Sequence, residues 1–110
     1  MKLTDDNFEQ VLPATTRPFL LNFRSSFCGP SNVVAGLLDH LFDEGWMADE
    51  DIIDIDVEAF PKLTRAMQIK GTPTLLLMKD GQPLGSRIGT MPYEDLVAFI
   101  STAHDNRRSN

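Results

Sequence analysis

Residues 18–42 read PFLLNFRSSFCGPSNVVAGLLDHLF, and this stretch decides the architecture. Pro18 to Arg24 is a short run bounded by turn residues, and its continuous apolar character, interrupted only at Asn22, predicts a strand covered on both faces by helices. Beyond it, Val33, Leu37 and Leu41 recur at a spacing of four, as do Val34, Leu38 and Phe42. That recurrence predicts a helix with one broad apolar face running to about Asp43. Pro30 fits its first turn, where a missing N–H breaks no intrahelical bond. Between strand and helix stands Cys28, the only cysteine in 110 residues. The unpaired N–H groups and the positive dipole end of a helix N-terminus stabilise an anion, so a sulfur placed there has its pKa lowered and becomes reactive. A lone cysteine is otherwise a small buried hydrophobe. The Gly29-Pro30 that follows and the position before a helix favour an exposed thiol.

On the N-terminal side, Asp5 or Asp6 is expected to cap a short helix with Phe8, Val11 and Leu12 inward, stopped by Pro13. On the C-terminal side, Glu44 to Glu50 is a polar connection in which Trp46 is expected to pack locally. Ile52 to Val57 alternates, with Ile53, Ile55 and Val57 on one side and Asp54 and Asp56 on the other, and reads as a strand. Pro61 to Met67 is helical. Thr74 to Met78 is another buried strand, Asp80-Gly81 is a tight-turn signal, and Pro83 to Gly89 returns antiparallel. Pro92 to Thr102 forms the last helix, with Leu96, Val97 and Ile100 inward. This order of elements belongs to an α/β domain whose mixed sheet is sandwiched by helices. No repeat or second domain is visible, and residues 104–110 read as a flexible polar tail.

A single cysteine makes no internal disulfide, and 110 residues suffice for a core without one. The net charge of −6 disfavours nucleic acid and anionic membrane as partners, since both select basic clusters. From Asp39 to Glu58 there are nine acidic residues and no Lys or Arg, which reads mostly as solvated surface. A calcium loop is excluded by the absence of glycine at the required spacing. His40 and His104 have no further ligand at metal spacing, so no metal site is expected. The N-terminus shows no leader pattern and no run is long enough to span a membrane, so a cytoplasmic location is expected.

Three segments carry a family resemblance. FLLNFRSSFCGPSN resembles the thioredoxin active-site segment, in which an apolar strand leads into Trp-Cys-Gly-Pro-Cys and a long helix, except that Ser31 stands where the second cysteine would be. LTDDNFEQVL is similar to the thioredoxin N-terminal helix, and IKGTPTLLLMKDGQPLGSRIG to its cis-proline loop and following hairpin. Order and spacing hold from about Leu3 to about Ile100. The resemblance implies a thioredoxin fold over residues 1–103, with a central mixed sheet of four to five strands flanked by helices on both faces. The family's first strand is expected to be a stub, since little precedes Thr4. Gly36 stands where the family usually has a helix-kinking proline, so a kink there is not forced.

What the resemblance implies for function is thiol–disulfide exchange, which needs an accessible thiolate, a hold on an extended substrate and a second thiol for release. Cys28 would supply the first. Thr72-Pro73, as a cis-proline loop, would present the Thr72 backbone to a bound peptide as an added strand. The third is missing, because a serine hydroxyl cannot attack a disulfide in its place. Ser31 would instead hydrogen-bond the Cys28 thiolate. A mixed disulfide on Cys28 would then wait for an outside thiol, either glutathione or the substrate's own second cysteine, a pattern suited to isomerisation or deglutathionylation of protein substrates. No resident cofactor is implied.

Departures from the family pattern define the rest of the expected site. The family's buried Asp aligns with Asn22, which cannot titrate. Asp54 stands where a Lys usually faces that Asp. Either the carboxylate has moved to the adjacent strand, near Asn22 beneath Cys28 and partly buried with a raised pKa, or Asp54 simply reaches solvent. Arg24 and Glu58 stand where a Trp and its acidic partner would be, and an ion pair between them is expected. Phe27 replaces the Trp before the cysteine and, with Gly29, Pro30, Gly89 and Met91, would form a modest docking rim. A thioredoxin-fold binding module or chaperone-like adaptor without redox turnover, and a Cys-to-Ser change that traps the complexes of a dithiol enzyme, remain the alternatives.

Overall fold

The computed structural model describes residues 2–26 and 29–105. Strands β1 (Phe19–Arg24), β2 (Ile52–Asp56), β3 (Thr74–Lys79) and β4 (Gln82–Ile88) form one sheet in the order β2-β1-β3-β4. β1 and β2 are parallel, while β1–β3 and β3–β4 are antiparallel. Helices α1 (Phe8–Ala14) and α3 (Pro61–Ala66) cover one face, and α2 (Gly29–Asp43) and α4 (Tyr93–Asp105) cover the other. Among the described residues no strand precedes α1, so the sheet has four strands and β2 is an edge.

The two central strands are apolar on both sides because both sides are covered. Leu20, Leu75 and Leu77 pack with Val34, Leu38 and Leu41 of α2 and with Leu96 and Ile100 of α4. Phe19, Leu21, Phe23 and Leu76 pack with Phe8 and Leu12 of α1 and Leu63 of α3. Each such side chain contributes about 1.5–3 kcal/mol relative to exposure. On β4 the pattern ends: this strand is an edge, mostly exposed, and it carries Pro83 at a register shift, where a missing N–H costs no ladder bond.

The buried face of α2 is narrower than the sequence predicts. Val34, Leu38 and Leu41 point inward, whereas Val33 and Phe42 are 55% and 46% exposed. One helical stripe suffices to cover one face of a sheet, and residues displaced by about 100° from it turn to solvent. The helix runs unbroken through Gly36. It closes with a Schellman pattern, the Gly45 N–H donating to Phe42 O (2.9 Å) and the Trp46 N–H to Leu41 O (3.2 Å). The turn sends Met47 into the core and leaves Trp46 41% exposed, its side chain in a local hydrogen bond with Glu44.

Helix α1 also departs from expectation. It begins after Asn7, not at Asp5 or Asp6, and contains Pro13 rather than stopping there. The Asp5 carboxylate instead accepts the Lys62 N–H (3.1 Å) and the Leu63 N–H (2.9 Å), so it caps α3 from 57 residues away. Pro61, at the first position of α3, has no N–H to satisfy. Asp5→Ala is therefore expected to lower the urea-unfolding free energy by about 1 kcal/mol. Asp6→Ala, which removes only the exposed Lys62–Asp6 pair (3.3 Å), should change it by less than about 0.5 kcal/mol.

Helices α2 and α4 are tied by three side chains. The Tyr93 hydroxyl donates to Glu44 Oε1 (2.7 Å), and its ring lies 4.1 Å from that of His40. The Tyr93 bond holds the Glu44 carboxyl below its ordinary value. Burial first, and then Glu44, pushes the phenol up to about 12. A carboxyl depressed by folding stabilises the fold above its unfolded pKa and loses that contribution as pH falls through its folded pKa. Urea midpoints of the wild type and of Tyr93→Phe should thus be separated at neutral pH and converge in acid, with Glu44 titrating higher in the variant. α4 extends to Asp105, so His104 is helical, and the remaining five residues of the expected tail lie outside the described residues.

Candidate functional site

Strand β1 ends at Arg24, and α2 starts at Gly29 and doubles back over the sheet. Its first turn therefore lies over the C-terminal end of β1. Cys28 and Phe27, the expected nucleophile and its aromatic neighbour, lie outside the described residues; in the chain they immediately precede α2. Gly29 and Pro30 are exposed in that first turn. Ser31 points the other way, into the protein, at 1% exposure, and its Oγ has no hydrogen-bond partner among the described residues.

The second wall is the turn into β3. The Thr72–Pro73 peptide bond is cis. Pro73 is buried, and its carbonyl accepts the Gly89 N–H at 2.9 Å, which fixes the end of β4 beside it. The Thr74 hydroxyl donates to Gly71 O (2.6 Å) and secures the turn from inside. A cleft of about 330 Å³ lined by Ser25, Val57, Ile69, Lys70, Gly71 and Thr72 opens beyond the carboxyl ends of the parallel strands β1 and β2. Ligands of open α/β sheets bind at that end.

Asn22 lies beneath this region at 1% exposure, on the sheet face shared by Leu20 and α2. Its Nδ2 donates to Asp54 Oδ1 (3.0 Å) across the parallel pair β1–β2, where the two residues are in register. Asp54 is exposed rather than partly buried. It sits on the edge strand and lines a cavity of about 100 Å³ with Asp39 and Asp49, so its carboxylate takes the amide while keeping contact with water.

The expected Arg24–Glu58 pair does not form; the ion pairs among the described residues are Arg17–Asp51 (2.7 Å) and Lys62–Asp6 (3.3 Å), and His40 Nε2 lies 3.5 Å from Glu44 Oε1. The cause is local. The Asp56 carboxylate accepts the Glu58 N–H (2.9 Å) in a turn that leaves Glu58 exposed, while Arg24 is half-buried opposite Asp56. Met91, expected on the rim, packs partly into the core instead. The sequence reading missed two apolar side chains near the site. Ile88 is 68% exposed and is in register with Thr74, next to Pro73, and Val33 is exposed in the helix that begins the site. Both are ordinary apolar residues in amphipathic patterns, and only their orientation distinguishes them. Among the described residues no group of three or more His, Cys, Asp or Glu is placed to hold a metal ion, and no helix is long and apolar enough to cross a membrane.

A mixed four-stranded sheet between two pairs of helices, with a cis-proline turn beside the C-terminal end of β1, defines a thioredoxin-type α/β domain. The thioredoxin family model matches residues 1–102, and the chain belongs to the thioredoxin family. It is 33% identical over 102 residues to a thioredoxin of Mycolicibacterium smegmatis, covering 92% of this chain and 91% of the relative. A thioredoxin of Mycobacterium tuberculosis is 34% identical over 106 residues, covering 96% and 90%. One of Alicyclobacillus acidocaldarius subsp. acidocaldarius is 35% identical over 101 residues, covering 92% and 94%. Membership places the chain among thiol–disulfide redox proteins.

Proposed function

We propose that the protein carries out thiol–disulfide exchange by a monothiol route through Cys28. The observation that supports this most directly is the position of the chain's one cysteine, immediately before the N-terminus of a 15-residue helix whose first residues face solvent, in a chain of the thioredoxin family. The Cys28 thiolate attacks one sulfur of a protein disulfide; a Cys28–sulfur bond forms, the old S–S bond breaks, and the second sulfur leaves with the electron pair as a thiolate. Ser31 cannot reverse this. An external thiolate, from glutathione or the substrate's other cysteine, attacks the mixed disulfide and returns Cys28 as the leaving thiolate. With a glutathionylated protein the same two steps release the protein thiol and then oxidised glutathione.

The substrate is held as an extended strand along Thr72 and Pro73, with Phe27, Gly29, Pro30 and Gly89 around it and Ile88 and Val33 adding apolar contact. Neither nucleic acid nor membrane is a partner, and the setting is the cytoplasm. Asp54 reaches this site only through Asn22. A second reading, a binding module or adaptor without turnover, is favoured by the uncharged Asn22 in the buried position and the lack of a second cysteine.

Two measurements decide between the readings: the pH profile of Cys28 alkylation, and the turnover of a Cys28 mixed disulfide by glutathione. A thiol midpoint well below the free-cysteine value of about 8.5, with turnover, is expected. A near-normal midpoint without turnover would establish the binding module.

A further inference from the structure

Strand β2 is one edge of the sheet, and among the described residues no strand pairs with its outer side. The Val57 N–H donates to Arg24 O at 3.0 Å, so the backbone groups of Val57 and, by alternation, of Ile55 and Ile53 face β1. Ile52, Asp54 and Asp56 therefore turn theirs to the open side. Some of these are taken locally: the Ile52 N–H donates to Asp49 O, and the Asp56 carbonyl accepts the N–H groups of Ala59 (3.0 Å) and Phe60 (2.9 Å). Left without a partner among the described residues are the Ile52 carbonyl, the Asp54 N–H, the Asp54 carbonyl and the Asp56 N–H. In that order they run acceptor, donor, acceptor, donor, which is one side of a strand ladder.

The side chains flanking this ladder decide what can complete it. On the face covered by α1 and α3 the edge is apolar, with Ile53 and Val57 half-buried beside the core residue Ile55. On the face covered by α2 and α4 it is acidic. Asp54 is exposed there and shares a cavity of about 100 Å³ with Asp39 and Asp49, and Asp56 follows it in the alternation. Arg17 pairs with Asp51 (2.7 Å), but Asp39, Asp49, Asp54 and Asp56 have no cationic partner among the described residues.

We infer that the open edge of β2 is a docking surface for an extended segment of a partner protein in which Lys or Arg alternates with aliphatic residues. The backbone of the segment completes the ladder as a fifth strand. Its aliphatic side chains lie over Ile53 and Val57, and its cations lie beside Asp54, Asp56 and the cavity that Asp39 and Asp49 share. A second copy of the chain does not fit. Two paired β2 edges would set Asp54 and Asp56 against the same carboxylates of the other chain, and like charges opposed across strands are destabilising. The carboxylates that hold copies apart attract a cationic strand. Exposed ion pairs contribute little each, so the backbone bonds supply most of the affinity and the charges select the partner. None of this depends on chemistry at Cys28.

Backbone amide exchange of the full chain, with and without short capped peptides that alternate lysine and valine, tests the docking surface. The Asp54 and Asp56 amides should exchange freely in the protein alone and at least about tenfold more slowly with saturating peptide. A peptide alternating glutamate and valine should bind at least about tenfold more weakly. The double variant Asp39→Asn/Asp49→Asn, at two exposed positions outside the ladder, should weaken the lysine peptide about threefold and leave the protected amides the same. Two N-methylated lysine–valine peptides isolate the backbone. Only alternate N–H groups of a docked strand face β2, so methylation of the lysine nitrogens and of the valine nitrogens should differ in cost by at least about fivefold. Equal affinities of those two peptides would leave charge attraction alone and overturn the inference. It is equally overturned if the lysine and glutamate peptides bind alike, or if the Asp54 and Asp56 amides ignore the peptide or are already protected without it. A concentration-dependent dimer that protects the same two amides would assign the edge to a second copy instead.

Discussion

Ser31→Cys is expected to release a Cys28 mixed disulfide at least about a hundredfold faster than glutathione releases it from the wild type. A second thiol in the same helical turn makes the resolving step intramolecular, and well-placed intramolecular groups reach effective concentrations far above any glutathione pool. The position tolerates the change. Ser31 is 1% exposed in the first turn of α2 and its hydroxyl has no partner among the described residues, so a thiol, close in size and less polar, displaces none of them there. Release should become independent of added glutathione, and the free protein should acquire an internal disulfide detectable as a loss of two mass units. The measurement is single-turnover decay of a Cys28–glutathione adduct, with and without external thiol. Decay that stays first order in glutathione, with an unchanged rate constant, would mean that position 31 does not address the Cys28 sulfur.

Much of the fold was legible because the signals were local and redundant. PFLLNF and TLLLM are continuous apolar runs, and a chain can bury both sides of a strand only with helices on both faces. Asp80-Gly81 announces its turn by the two residues that adopt positive φ most readily. The errors fall where a side chain had two places to go. Asp5 is a good cap by type and was assigned to the nearest helix, but its carboxylate reaches α3 instead, and no sequence pattern links residues 57 positions apart. Val33 and Phe42 belong by spacing to the apolar face of α2, but the sheet offers α2 one stripe's width, and Gly45 turns the chain so that Met47 takes the last inward place.

The site was legible in its backbone and less so in its charges. The cis-proline turn at Thr72–Pro73 is implied by the family resemblance, while the helix starting beside Cys28 follows from residue types with strong conformational preferences. Pairings between charged side chains depend on where a strand ends and which way a turn carries the next residue. Arg24 and Glu58 stood in complementary positions in sequence, but the Asp56 carboxylate closes a turn on Glu58 and carries it outward. Asp54 and Asn22 do meet, because parallel register fixes them side by side. Of the two alternatives for Asp54, the one in which it reaches solvent holds, because β2 is an edge strand and an edge leaves a carboxylate beside water.

The hairpin that carries Gly89 to the site depends on one glycine, and Gly81→Ala is expected to cost roughly 3 kcal/mol, lowering the thermal midpoint by roughly 10–20 °C. Two constraints meet there. Asp80 and Gly81 have φ of 55° and 78°, the pair of positive values that a two-residue hairpin requires. A side chain at Gly81 would also run into the Pro13 carbonyl at the end of α1, which the turn approaches backbone to backbone. The strain of a left-handed alanine is about 1–2 kcal/mol; the remainder comes from displacing α1 or the turn, whose Asp80 N–H donates to Thr16 O at 2.9 Å. Two further variants separate the causes. Asp80→Asn, which keeps a residue at ease with positive φ, should change stability by less than about 0.5 kcal/mol. Gly81→Asn relieves most of the φ strain and still meets Pro13, so it should stay about as destabilised as Gly81→Ala. If Gly81→Asn instead recovers most of the wild-type midpoint, the glycine is there for its backbone angle alone and the contact with α1 yields without cost.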